Sequence, residues 1–235
     1  MLIVAGVFAR GGSKGVPNKN LRKVGGVSLV RRAVNQALNT AQVERVICST
    51  DSEEIASEAR LSGAEATWLR PAALAQDTSR EWDSWVHMIN HLQHENYQAD
   101  YLLVVPCVAP LRTISDLEKC IDTAIETNAD VVIAVSESHK NPWFNMVSVD
   151  PITGSANLVL NPPKRINNRQ EAPVVYDVST VAFLIKCSYL LKADSIYEGD
   201  TRAVILPKNR CLDIDTEDDI KLAEYFLGEG RGYIQ

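Results

Sequence analysis

An apolar run at the start of the chain, Leu2 to Phe8, leads straight into Ala9-Arg10-Gly11-Gly12-Ser13-Lys14-Gly15-Val16-Pro17-Asn18-Lys19-Asn20-Leu21. No other junction narrows the choice of fold so far. The run reads as a buried strand, and the residues from Ser28 onward keep a helical period. Glycines at 11, 12 and 15 let the backbone turn and aim its N–H groups at an anion. Arg10, Lys14 and Lys19 add cations, while Ser13, Asn18 and Asn20 add neutral donors. A strand that opens into a cationic, glycine-rich loop ahead of a helix is suited to holding a polyphosphate. The loop is not a Walker motif, because no Gly-Lys pair is followed by Ser or Thr, and it lacks Gly-x-Gly-x-x-Gly spacing. A solvated basic turn is the competing reading.

Strand and helix signals alternate along most of the chain. Strands are expected at Leu2–Phe8, Arg45–Ser49, Ala66–Leu69, Tyr101–Val105 and Asp130–Val135. Helices are expected at Ser28–Asn39, Ser52–Leu61, Ser79 to about Glu95, and Ile114–Thr127 behind a Thr113 cap. Strands return at Val181–Ile185 and Ala203–Leu206, and a helix closes at Glu217–Leu227. Near-continuous apolar strands separated by helices indicate an α/β fold: three layers, with a mostly parallel, Rossmann-like sheet covered on both faces. Ligands bind such sheets beyond the carboxyl ends of the strands, so Arg10–Asn20, Asp51 and Pro106–Arg112 should converge. Residues 136–176 hold five of the ten prolines and little periodicity. The expectation is one domain over 1–235, with 137–176 as an irregular arm.

Composition sets further bounds. A net charge of −6 argues against nucleic acid or an anionic membrane as partner, so any anion site is local. No apolar run approaches a membrane span, and no export signal precedes Leu2, which makes the cytoplasm the expected compartment. The five cysteines are scattered, with no Cys-x-x-Cys pair, and read as small core residues rather than disulfides or zinc ligands. His87, His91 and His94 line one face of a helix without a zinc-protease pattern, and read as a packed or solvated stripe.

Near the carboxyl end, Asp213 and Asp215 share one face of an extended segment, where they can hold one hard cation. Asp51 is a candidate to face them across the pocket. The same stretch also reads as a helix start, with Thr216 as cap and Glu217, Asp218 and Asp219 favoured by the helix dipole. Lys164, Arg165 and Arg169 form a basic turn, where an Arg can bind a carboxylate bidentately.

The loop's order of residues resembles the signature of the acylneuraminate cytidylyltransferases, Ala-Arg-x-x-Ser-Lys-Gly-x-Pro-x-Lys-Asn. Further matches are Ser49-Thr50-Asp51, Arg70-Pro71-x-x-Leu74-Ala75-x-Asp77-Thr78, Pro110-Leu111-Arg112 and Asp213-Ile214-Asp215-Thr216, spread over roughly residues 3 to 225. The resemblance implies a nucleotide-diphospho-sugar transferase fold that joins CTP to a 2-keto-3-deoxy sugar acid, giving a CMP-sugar and pyrophosphate. It implies nucleotide contacts from Ala9, Arg10, Gly12, Ser13, Lys14, Asn20, Arg70 and Ser79, with Arg10, Lys19 and Asp215 in catalysis. It also implies Mg²⁺ on Asp213 and Asp215, and sugar contacts from Arg112, Arg169, Gln170 and Ser179. The arm is expected to serve a homodimer and the sugar site.

The sugar half departs from the family pattern. Gln-Pro-Thr-Ser-Pro-Leu-Arg is replaced by Pro106-Cys107-Val108-Ala109-Pro110-Leu111-Arg112, and Asn-Gly-Ala-Ile-Tyr by Ser179-Thr180-Val181-Ala182-Phe183. The arm reads Asn141-Pro142-Trp143-Phe144, without the family's His-Pro step and the basic residue after it. Unmatched sugar hydroxyls would be buried at roughly 1–3 kcal/mol each. A deoxygenated or N-acylated nonulosonic acid of legionaminic or pseudaminic type, or another 2-keto-3-deoxy acid, is therefore the expected acceptor ahead of sialic acid. Two alternatives stay open: a transferase using UTP or ATP with a sugar phosphate, and a non-catalytic nucleotide-binding relative.

Overall fold

The computed structural model describes residues 1–162 and 164–228; Pro163 of the basic turn and residues 229–235 lie outside the described residues. Six strands form the central sheet: β1 (Ile3–Phe8), β4 (Arg45–Ser49), β5 (Tyr101–Val104), β6 (Val131–Glu137), β9 (Tyr176–Lys186) and β10 (Thr201–Ile205). Short hairpins supply β2 (Lys23–Val24) with β3 (Val27–Ser28), and β7 (Val147–Val149) with β8 (Ala156–Leu158). The sheet order is β10-β6-β9-β5-β1-β4. All neighbours are parallel except β9, which runs antiparallel to both β5 and β6. The expected strand at Ala66–Leu69 reduces to one bridge, Ile47 to Glu65.

Alternate side chains of each strand enter two cores. Ile3, Ala5 and Val7 meet α1 (Leu29–Leu38), α2 (Glu53–Leu61), α4 (Ile114–Thr127) and α6 (Glu217–Gly228). Val4, Leu102 and Ile133 meet α3 (Glu81–His94) and the short α5 (Cys187–Leu190) on the opposite face. This is the three-layer arrangement expected from the continuous apolar strands. The cysteines are free thiols, four of them buried. His91 stacks on Trp68 with ring centroids 3.8 Å apart, so at least that histidine is engaged in packing.

Helix starts follow their caps. The Ser28 hydroxyl accepts from the Arg31 N–H and that of Ser52 from the Ile55 N–H. Thr113 and Asp116 form a reciprocal capping box on α4. Asp116 is fully buried, and Arg210 Nη1 lies 3.3 Å from its carboxylate. The pair ties α4 to the segment that leads into Asp213. Removing one member strands the other charge in the interior. Asp116→Ala should therefore cost about 3 kcal/mol and lower the melting temperature by roughly 6–12 °C. A thermal melt within about 2 °C of wild type would show that the pair does not hold the segment.

Candidate active site

The strand ends converge as the topology demands. A cavity of about 450 Å³ opens there, lined by Arg10, Ser13, Lys14, Gly15, Lys19 and Asn20 from the loop after β1. None of the loop's glycines adopts a positive φ among the described residues. Gly15 is required for another reason: a Cβ there would collide with the backbone oxygen of Asp215. Gly12 has open space around it. The loop is braced from behind. The Asn20 amide donates to the Arg10 carbonyl at 3.0 Å, and the Gly11 N–H donates to Asp51 Oδ1 at 2.9 Å. Asp51 thus anchors the loop rather than facing the acidic pair, and the Gly11 N–H is not free for an anion. Ala9 is buried in the core, so it and Gly12 shape the loop without lining the cavity.

The acidic segment closes the other side. Ile214 is fully buried and its N–H donates to the Val108 carbonyl at 2.9 Å. Alternation along this extended stretch leaves Asp213 and Asp215 on the opposite face. Lys19 Nζ joins the two regions, donating to the Ile214 carbonyl at 2.7 Å and to Asp215 Oδ1 at 3.1 Å. Asp215 is solvent-exposed, whereas Asp213 is largely enclosed. Burial, and then the Asp215 charge, push the Asp213 carboxyl up to about 6, with Lys19 and Thr180 acting in the opposite direction. Asp213 Oδ1 is buried with no hydrogen-bond donor. An orphaned carboxylate oxygen beside a second carboxylate is what a site for a hard cation presents. The helix-start reading holds as well. The Thr216 hydroxyl accepts from the Asp219 N–H at 3.3 Å, and Asp219 Oδ2 accepts from the Asp215 and Thr216 N–H groups.

A third wall runs from Arg70 to Trp85. Arg70 is buried, its N–H bonded to the Thr50 carbonyl at 2.7 Å, and its Nε has no partner. Ser79 lines the cavity, but its hydroxyl donates to the Ala73 carbonyl and accepts from the Gln76 N–H, closing its own loop. Pro106, Cys107 and Val108 complete the lining. Burial raises the Cys107 thiol to about 12, so it is no nucleophile.

The four residues expected to contact the sugar, Arg112, Arg169, Gln170 and Ser179, all lie outside the lining of the main cavity. Arg112 is fully enclosed: its guanidinium donates to the carbonyls of Pro106 (3.0 Å) and Val181 (2.6 Å) and to Gln36 Oε1. Burial pulls its pKa down to about 10, which leaves it charged at neutral pH. It fixes the turn after β5 instead of touching a ligand. Arg169 and Gln170 line a separate cavity of about 240 Å³ with Glu137, Ser138 and Asn141, and Arg169 donates to the Ser138 carbonyl at 2.8 Å. Ser179 is also buried, outside the main cavity, its hydroxyl accepting from the Val181 N–H.

Two residues of the site were given no role by the sequence. Asp77, one letter of the Arg70–Thr78 match, pairs with Arg10 Nη1 at 2.8 Å and with Lys14. Glu81 opens α3 and faces the cavity. Its approach to Arg70 across a loop leaves no signature in residue spacing.

A family profile described as cytidylyltransferase matches residues 4–183. Post-translational flagellin modification protein B of Campylobacter coli is 32% identical over 230 residues, covering 97% of this chain and 95% of that protein. The CMP-N,N'-diacetyllegionaminic acid synthase of Campylobacter jejuni is 31% identical, covering 96% and 94%. A solved CMP:2-keto-3-deoxy-manno-octonic acid synthetase, complexed with CTP, shares the fold with a TM-score of 0.71 at 16% identity, over 98% of this chain and 100% of that one. With its loop, acidic segment and cavity in the arrangement described, the chain belongs to the cytidylyltransferase family, among relatives that include CMP-nonulosonate synthases.

Proposed function

We propose that the chain transfers a cytidylyl group from CTP to the anomeric hydroxyl of a nonulosonic acid. The anomeric oxygen bonds to the α-phosphorus, the bond from that phosphorus to the β-phosphate oxygen breaks, and pyrophosphate leaves. The observation that carries this reading is the Lys19 bridge, which brings the cationic loop and the Asp213–Asp215 segment to one cavity. Such a site works by positioning and charge neutralisation and needs no covalent intermediate. Arg10, Lys14 and Ser13, which line the cavity, would take the β- and γ-phosphates, with Arg10 and Lys14 exchanging Asp77 for phosphate oxygens. Lys19 holds the acidic segment in register and offers its charge to the departing pyrophosphate.

Asp213 and Asp215 suit Mg²⁺, which when bound supplies charge to phosphate oxygens and acidifies the attacking hydroxyl. An N-acylated, deoxygenated acceptor fits the chain better than sialic acid. Its methyl groups match the apolar lining of Pro106 and Val108, where sugar hydroxyls would go unpaired. The CMP-N,N'-diacetyllegionaminic acid synthase named above agrees with that choice.

The arm supports a homodimer. Val147, Val149, Ile152, Val159 and Leu160 are exposed on or beside the β7–β8 hairpin, with Val174, Tyr176 and Val178 nearby in sequence. An apolar surface of that extent on a small hairpin calls for a cover, and a second copy provides one. A part for Arg169 and Gln170 in binding the acid's carboxylate rests on that dimer. Among the described residues no helix is long and apolar enough to cross a membrane. The free thiols suit the cytoplasm as the working compartment.

Lys19→Ala should reduce pyrophosphate release by at least about 100-fold while costing about 1 kcal/mol of stability. Asp215→Asn should lose turnover similarly and weaken the magnesium dependence. Near-wild-type activity in either variant removes that residue from the mechanism. For Asp213 the prediction concerns the chelated protein. A carboxyl raised to about 6 keeps in the native state a proton that the unfolded chain releases near pH 4. That stabilisation is complete below about pH 4 and lost as pH rises through about 6. Melting in EDTA should therefore show Asp213→Asn gaining on wild type between about pH 4 and about pH 6, with no further gain above about pH 7; parallel curves across the lower range would contradict the assignment. Val149→Asp should shift sedimentation from dimer to monomer, and an unchanged dimer would place the interface elsewhere.

A further inference from the structure

We propose that Thr180 is a positioning residue for the cation site: when the ion binds, its hydroxyl donates to Asp213 Oδ1 and leaves the other carboxylate oxygen to the metal. The inference deepens the magnesium reading above and rests on it. Two enclosed oxygens carry it. Thr180 Oγ1 and Asp213 Oδ1 are both buried, and neither has a hydrogen-bond partner among the described residues. They are nonetheless neighbours, the hydroxyl lying near enough to favour the ionised carboxylate. A hydroxyl has a proton to give and a carboxylate only accepts, so the two are complementary.

A break in a strand brings Thr180 to this place. Between the pairs Ile133–Phe183 and Val135–Val178, β6 advances two residues while β9 advances five. The ladder therefore loses register over 179–182, and a bulge of this kind re-aims side chains beside a site. Its shape is fixed from within. The Ser179 hydroxyl accepts from the Val181 N–H, and the Val181 carbonyl accepts from the buried Arg112 guanidinium at 2.6 Å. Ser179 is thus committed to the turn, while Thr180 is free to serve Asp213. The family pattern has glycine where this chain has Thr180, so the hydroxyl is particular to this sequence.

No three His, Cys, Asp or Glu side chains among the described residues lie close enough to share an ion. Two aspartates must hold it with phosphate and water oxygens, and their orientation decides how well. Lys19 steadies Asp215, donating to its Oδ1 at 3.1 Å. Thr180 does so for Asp213, as the hydrogen-bonded partners of ligating carboxylates do.

The test is titration of Mn²⁺ into wild type, Thr180→Val, Thr180→Ala and Thr180→Ser, with protein in excess over CTP and no acceptor present. Free Mn²⁺ is read by electron paramagnetic resonance. The valine and alanine variants should bind the ion about ten-fold more weakly or worse, whereas the serine variant should bind as wild type does. In turnover, the Mg²⁺ concentration for half-maximal rate should rise by the same factor in Thr180→Val, with KM for CTP at saturating Mg²⁺ unchanged. Wild-type affinity in the valine and alanine variants overturns the proposal. So does an equal loss in Thr180→Ser, which would make packing of the methyl group the cause. If wild type takes up no Mn²⁺ beyond that held by CTP alone, the magnesium reading itself falls, and this inference with it.

Discussion

The contact between Lys19 and the Asp213–Asp215 segment is the interaction on which the site depends. Nearly two hundred residues separate the partners in sequence, yet one ammonium group satisfies a main-chain carbonyl and a carboxylate there. Ile214 drives its side chain into the core beneath, and Gly15 lets the loop approach the Asp215 backbone without a Cβ between them. Hydrophobic burial thus supplies the force, and the absence of one methyl group supplies the room. Everything the cavity does with charge follows from that approach, because it decides that basic and acidic elements share one space.

Enclosing charge carries a cost that the surrounding structure offsets unequally. Arg112 is fully compensated by carbonyls and by Gln36, so it acts as a rigid pin for the turn after β5. Asp116 and Arg210 answer each other. Asp213, Arg70 and Glu81 are left incomplete, with orphaned atoms or shifted protonation. In a protein that satisfies most of its interior polar groups, unsatisfied ones gathered around a cavity indicate where a ligand is meant to finish the pairing.

Much of this was legible from residues alone where local physics decides. Helix α4 falls on Ile114–Thr127 because Thr113 caps it and its apolar residues keep period, and Arg45–Ser49 forms the strand its side chains suggest. Direction was not legible for β9, since a strand buried on both faces reads alike whether it runs parallel or antiparallel. The β7–β8 hairpin left little pattern because its side chains are mostly exposed. Within the site, the loop and the acidic pair were found through their order of residues. Arg112 was misjudged because a motif letter does not say which way a side chain points. Ser79 and Glu81, two residues apart at the start of α3, differ in what their neighbours leave free, which only coordinates reveal.

Asp77 has one further consequence. By lying against Arg10 and Lys14 it acts as a tethered counter-ion, so half of their charge is offset before any ligand arrives. A lone orthophosphate would have to evict that carboxylate and would recover little more than it displaced. A longer polyanion reaches past the exchanged pair to the Ser13 hydroxyl and to Lys19, whose charge Asp215 already shares, and so gains contacts that orthophosphate cannot reach. Selection by chain length of the phosphate would then be a property of the resting protein, set by a single internal anion.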